Sequence, residues 1–199
     1  MAAAPSREAI TGLVLAGGRG QRLGGVDKGL QAWRGQPLVD HAIARLAPQV
    51  AEILISANRN AADYASRGAR VLADARDDFP GPLAGVLAGL RAASTPWLAV
   101  VPCDSPRLPN DLVARLAHGL DGHAAAVVQR DLGAAGVRIE PVCCLLATSL
   151  ADDLARYLAE DGRKVEAWVS RHASPVRFDR PEDAAAFANI NTPDDLART

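Results

Sequence analysis

Between Leu15 and Leu30 the chain reads LAGGRGQRLGGVDKGL, an apolar strand running into a glycine-rich stretch that carries Arg19, Arg22 and Lys28. Glycines there let the backbone turn and approach a ligand closely, and successive N–H groups in such a turn cradle anions. With three movable cations beside it, the stretch suits a polyphosphate. Two familiar phosphate loops do not fit. The P-loop needs Gly-Lys followed by Ser or Thr, whereas Lys28 stands between Asp27 and Gly29. The dinucleotide fingerprint G-x-G-x-x-G places its third glycine where this chain has Leu23. A second candidate is Asp104 in PCDSP, directly after the apolar run Leu98-Ala99-Val100-Val101. A carboxylate held at the end of a buried strand suits magnesium, which takes one or two carboxylates plus phosphate oxygens and water. Its alternative role is a turn or helix cap.

These residues need elements to position them. Apolar runs alternate with helical patterns through most of the chain, which predicts an α/β fold with a mostly parallel central sheet and helices on both faces. Strands are expected at 10–16, 53–55, 71–74, 97–101, 124–128 and 142–146. Helices are expected at 37–46, 61–66, 83–93, 109–120, 150–160 and 164–172, with a turn at 131–136. Thr192 followed by Pro193, Asp194 and Asp195 is a helix start: a hydroxyl cap, a first-turn proline and acids facing the dipole. In open α/β sheets ligands bind outside the carboxyl ends of the strands. The glycine loop, Ser56-Ala57-Asn58, Asp74 and Asp104 all fall at such ends, so four separate stretches converge on one edge.

Composition narrows the class. At 199 residues the chain suits one domain, 1–199, with its own core. Apolar residues make up 49% and aromatics 4%, as in a helix-rich enzyme rather than a disordered chain. A net charge of −1 offers no global field for nucleic acid, so local cations must do any phosphate binding. Cys103, Cys143 and Cys144 lack zinc-ligand spacing, and the latter two sit on an apolar strand as core residues. Reduced thiols suit a cytoplasmic protein, and the absence of a leader pattern or long apolar run argues against a membrane. His41, His118, His123 and His172 share no spacing and read as surface or satisfied residues.

The stretch LAGG-x-x-x-R-L-G-G-x-D-K-G-L resembles the signature loop of the bacterial molybdenum cofactor guanylyltransferases, members of a nucleotidyltransferase superfamily with a Rossmann-like α/β fold. Gly-Gly-x-Asp-Lys-Gly-Leu points to that branch rather than to sugar-phosphate nucleotidylyltransferases. PCDSP resembles the family's Pro-Cys-Asp-Thr/Ser-Pro segment, and EPVCCLL, DGRKVEAWV and FANINTPDDL resemble three further family segments. The resemblance runs from Thr11 to Leu196 with its motifs in order.

By this resemblance Lys28 and Arg22 meet the triphosphate, Asp104 holds Mg2+, and Leu15, Ala16, Gly17 and Gly18 line the nucleotide. Asp74 matches a family aspartate that helps hold guanine and ribose. Ser56 stands where members often carry asparagine, so its contact with the nucleotide is shortened to a water bridge or lost. Asn58 suits a structural turn equally well. The C-terminal motifs imply the pterin half of the site, with Asn189 and Asn191 as contacts and Arg163 or Lys164 meeting the terminal phosphate or dithiolene end; an exposed helix start and a turn former are the plainer readings of Lys164 and Asn191.

The implied activity joins GMP from GTP to the terminal phosphate of molybdopterin, with or without molybdenum, releasing pyrophosphate. The expected partners are these two substrates, with molybdopterin-inserting and client molybdoenzyme proteins beside them, and neither nucleic acid nor membrane. The rivals are a molybdopterin cytidylyltransferase and a non-catalytic nucleotide-binding molybdopterin carrier. Intact Lys28 and Asp104 speak against the carrier.

Overall fold

Strand β1 (Ile10–Leu15) is buried along almost its whole length, as its mostly apolar sequence, broken by Thr11, suits in a strand covered on both faces. The structure is a computed structural model and describes residues 3–16, 26–73 and 81–197. Around β1 the main sheet runs β5-β4-β1-β6-β8-β7-β9. Its strands are β4 (Glu52–Ser56), β5 (Arg70–Leu72), β6 (Trp97–Pro102), β7 (Ala125–Asp131), β8 (Val137–Ala147) and β9 (Ala173–Arg177). All neighbours pair in parallel except β8, which is antiparallel to β6 and β7. A small antiparallel hairpin joins β2 (Ala32–Trp33) to β3 (Gln36–Pro37).

Helices cover both faces. On one lie α1 (Leu38–Leu46), α2 (Ala61–Ala65) and α4 (Leu112–His118), whose Leu46, Tyr64 and Leu116 share a core with Val14 and Val101. On the other, α3 (Pro82–Ala92), α5 (Ala151–Ala159) and α6 (Val165–Val169) bury Leu87, Leu154 and Trp168 with Leu13 and Val100. Leu13 and Val14 therefore serve opposite cores, as the two-residue period of a strand dictates. Close approach matters on the second face: a Cβ at Gly89 of α3 would lie 2.6 Å from Leu13 Cδ2.

The expected α/β layout is present, with differences that have physical causes. The strand expected at 142–146 begins at Val137, and between Val127 and Val128 its partner jumps from Cys144 to Glu140. Pro141 lies inside that bulge, where a residue without an N–H does no harm to the ladder. Strand β9 was not anticipated, since Ala173–Arg177 contains Pro175 and alternates poorly; it occupies the sheet edge, where a strand proline is tolerated. The helix expected over 109–120 narrows to Leu112–His118, and that over 164–172 to Val165–Val169. At α7 (Pro193–Ala197) the expected cap forms: the Asp195 N–H donates to Thr192 Oγ1 at 3.1 Å, and Asp195 Oδ2 accepts from the Thr192 N–H at 3.0 Å. Among the described residues no helix is long and apolar enough to cross a membrane.

Candidate active site

The carboxyl ends of four parallel strands lie in register. Leu15 pairs with Ser56 and Pro102, and Ser56 pairs with Leu72. Bonds just past the ladder keep the edge level: Ala16 N–H to Ser56 C=O at 2.8 Å, Ala57 N–H to Leu72 C=O at 2.9 Å, and Cys103 N–H to Leu15 C=O at 3.0 Å. Asp104 follows at once, so its position is fixed by the sheet rather than by a long loop.

Lys28 reaches the same edge from a 3₁₀ turn, Lys28–Leu30, whose cap is Asp27. Lys28 Nζ donates to Asp104 Oδ2 at 2.5 Å and to Asn191 Oδ1 at 2.5 Å. The side chains of Lys28 and Asp104 are only 18% and 17% exposed, so their pairing is poorly screened. An ammonium has three N–H groups, and these two acceptors leave one without a partner among the described residues. Asn191 is held in turn by its N–H, which donates to Asp195 Oδ2 at 3.0 Å in the α7 cap. The neighbouring chain is tied down by Ile190 N–H to Asp104 C=O at 2.9 Å and by Ser105 Oγ to Asn189 Oδ1 at 2.7 Å.

Behind the Lys28 turn stands a buried brace. Asp27 is 8% exposed; its Oδ1 accepts from the Tyr64 hydroxyl at 2.6 Å and the Gly29 N–H at 3.2 Å, and its Oδ2 from Asn60 Nδ2 at 2.9 Å. Tyr64 is fully buried, and that burial, followed by the Asp27 carboxylate, pushes its hydroxyl far above the ordinary value, so it stays a neutral donor. Gly29 is required at its position: a Cβ there would collide with the Tyr64 hydroxyl oxygen. Sequence reading missed Tyr64 and Asn60, because nothing in the sequence ties residues 33 and 37 positions away to Asp27.

Of the residues singled out in the sequence, Lys28, Asp104, Asn189 and Asn191 come together here. Gly17, Gly18, Arg19, Arg22 and Asp74 lie outside the described residues. Leu15 and Ala16 sit at the edge, with the Leu15 C=O and Ala16 N–H spent inside the sheet. Ser56 is 2% exposed, and its Oγ lies close against Gly85 of α3. Asn58 is exposed. Arg163 is exposed and donates to Asp161 Oδ1 at 2.7 Å and to the Leu158 and Gly162 carbonyls, and Lys164 is an exposed residue preceding α6. Neither makes a described bond to the Lys28 cluster.

Cys103, Cys143 and Cys144 are buried and free. Burial, then the charge of Asp104, pushes the Cys103 thiol up to about 12, so the sulfur beside the site is a protonated, inert group. Among the described residues no three His, Cys, Asp or Glu side chains converge on a common point. A cation here needs an acidic oxygen that is free to hold it. Asp104 Oδ1 is suited to one, being a buried acceptor without a hydrogen-bond partner.

Solved structures share this fold, a mostly parallel α/β sheet that here carries a lysine and an aspartate clasped at its carboxyl edge. The chain superposes on molybdopterin-guanine dinucleotide biosynthesis protein A from Archaeoglobus fulgidus with a TM-score of 0.74 at 24% identity, covering 94% of this chain and 95% of that one. It matches 2-C-methyl-D-erythritol 4-phosphate cytidylyltransferase from Thermus thermophilus with a TM-score of 0.72 at 19% identity, covering 93% and 94%. A family model described as the MobA-like NTP transferase domain matches residues 12–176, and the chain belongs to that family. It is 53% identical over 190 residues to a molybdenum cofactor guanylyltransferase of Ralstonia nicotianae, covering 92% of each chain. It is 51% identical over 194 residues to another so named from Cupriavidus taiwanensis, covering 96% of each.

Proposed function

We propose that this chain is a molybdenum cofactor guanylyltransferase, one domain whose N-terminal half binds GTP and whose C-terminal half completes the pterin site. The observation that carries the reading is the meeting of Lys28, Asp104 and Asn191 at one sheet edge, in a chain about half identical to relatives bearing that name. An oxygen of the molybdopterin terminal phosphate attacks the α-phosphorus of GTP. A new P–O bond forms, the α–β bridging bond breaks, and its electron pair leaves with pyrophosphate. The attacking group is already anionic, so no protein nucleophile or general base is needed, and positioning supplies much of the rate.

In this mechanism Lys28 exchanges Asp104 and Asn191 for phosphate oxygens and offsets charge on the transferring group and on the departing pyrophosphate. Asn191 and Asp104 hold the ammonium in readiness, and the Asp27 brace fixes the turn that presents it. Asp104, with its unpartnered Oδ1, would hold Mg2+. When bound, that ion supplies Lewis-acid stabilisation of phosphate oxygens. Arg22, Gly17, Gly18 and Asp74 complete the nucleotide side in this reading, with Asn189 toward the pterin. Arg163 and Lys164 remain candidates for the outer end of the pterin. A cytoplasmic location fits buried cysteines that stay reduced.

The test is to incubate the purified protein with molybdopterin, magnesium and each nucleoside triphosphate in turn, and to identify products by mass. The guanine dinucleotide and stoichiometric pyrophosphate are expected with GTP. Equal or better turnover with CTP would make it a cytidylyltransferase, and nucleotide binding without pyrophosphate release would make it a carrier.

A further inference from the structure

Two buried side-chain polar atoms among the described residues have no hydrogen-bond partner, Asp104 Oδ1 and Arg107 Nε. Both belong to the short stretch that follows β6. One is an acceptor on an acid and the other a donor on a permanent cation. Native structures rarely leave such atoms unpaired, and two of opposite character three residues apart in the chain call for ligand groups of opposite charge.

Arg107 is anchored by a ring instead of by a carboxylate. Its guanidinium carbon lies 5.6 Å from the centroid of Trp33, and that of Arg34 lies 4.6 Å from the same centroid. Trp33 is 3% exposed and packs with Leu38 and Ile190, and Ile190 separates the two asparagines of the site while donating to the Asp104 carbonyl. The wall holding Arg107 is thus continuous with the segment that meets Lys28. Several other arginines are spent on acids: Arg115 on Asp183, Arg130 on Glu140, Arg180 on Asp111. Arg107 has no such partner among the described residues.

The charges give this cation a task. In the proposed mechanism Lys28 and the ion that Asp104 would hold are engaged by the triphosphate, yet the reaction must also bring a second phosphate anion against it. Further positive charge is needed where the attacking phosphate arrives, and an arginine fork fits a phosphate bidentately. The wall of Trp33 and Ile190 is formed by the β2–β3 hairpin and the C-terminal segment, whereas the proposed nucleotide residues follow β1, β4 and β5. We propose that Arg107 binds the phosphate monoester of the acceptor, with Trp33 as the platform that fixes its guanidinium. The identity of that acceptor rests on the guanylyltransferase reading; the anion site does not.

Titration calorimetry with molybdopterin and, separately, with GTP and magnesium tests the assignment in the full chain, its Arg107→Leu variant and its Arg107→Lys variant. Loss of a charge-assisted fork should weaken molybdopterin binding about 10- to 100-fold in Arg107→Leu. GTP affinity should stay within about twofold, and Arg107→Lys, keeping the charge without the fork, should fall between. Unchanged molybdopterin affinity, or equal loss for both substrates, would overturn the proposal. Should Arg107→Leu fail to fold, Arg107→Lys decides by the same comparison. If the wild-type chain binds no molybdopterin, the substrate reading fails. Inorganic phosphate then decides for Arg107: binding weakened in the variants upholds the anion site, and unaltered or absent binding ends it.

Discussion

Replacing Tyr64 with phenylalanine removes one oxygen atom and leaves the packing of a fully buried ring in place. What is lost is the 2.6 Å hydrogen bond to Asp27, a carboxylate that is 8% exposed and whose other partners among the described residues are Gly29 N–H and Asn60 Nδ2. A hydrogen bond to a charged group contributes about 1.5–3 kcal/mol. For a chain of this size that predicts a fall in Tm of roughly 3–12 °C. The functional effect should be separate from unfolding, because Asp27 caps the turn that carries Lys28. At a temperature well below the new Tm, kcat should drop by about tenfold or more, since misplacing a catalytic charge by a fraction of an ångström is costly. The assay pairs thermal unfolding by circular dichroism with steady-state pyrophosphate release. A variant with unchanged Tm and kcat would refute the brace; a lowered Tm with wild-type kcat would show that it stabilises the fold without positioning Lys28.

Three further outcomes are expected. Cys103 and Cys144 are pushed up to about 12 and Cys143 well above its ordinary value, all chiefly by burial, so Ellman's reagent at pH 8 should leave the native protein unmodified and titrate all three thiols in guanidinium; rapid native reaction would contradict their inert burial. Arg115 grips Asp183, 1% exposed, through two 3.0 Å bonds, and Arg115→Met should cost about 3–5 kcal/mol in a denaturant melt by stranding that carboxylate; a loss under about 1 kcal/mol would show that Asp183 is readily resolvated. Asp153 is held below its usual value first by the Trp168 indole N–H and then by His172, so its contribution is present above the unfolded carboxylate range and is lost as pH falls through the folded value. The Tm of Asp153→Asn should therefore decline less than wild type between about pH 5 and 3, and parallel declines would refute that linkage.

Much of the site was legible because the chemistry sits at strand ends. Lys28 follows a glycine-rich stretch after one buried strand, and Asp104 ends another; pairing β1 with β6 in parallel makes the 76-residue separation between them irrelevant. Asn191 was singled out through its resemblance to a family segment, as a pterin contact, and its bond to Lys28 was not foreseen. Side-chain contacts between elements were not legible. The sequence shows no reason for Tyr64, on a five-residue helix, to bond Asp27, nor for Trp33 to carry two guanidinium groups. The near-complete burial of Ser56 at the end of β4 was not legible either, because it depends on the close approach of Gly85 from a distant helix. Strand β9 escaped because its edge place tolerates the proline that hides it.

The central claim is that Lys28 and Asp104 clasp a nucleoside triphosphate together with its ion. Crystals grown with a non-hydrolysable GTP analogue and Mn2+, measured for anomalous scattering, test it most directly. The account predicts a manganese peak in bonding distance of the Asp104 carboxylate, with the Lys28 ammonium on phosphate oxygens. A nucleotide bound beyond the reach of Lys28, or manganese bound away from Asp104, would contradict it.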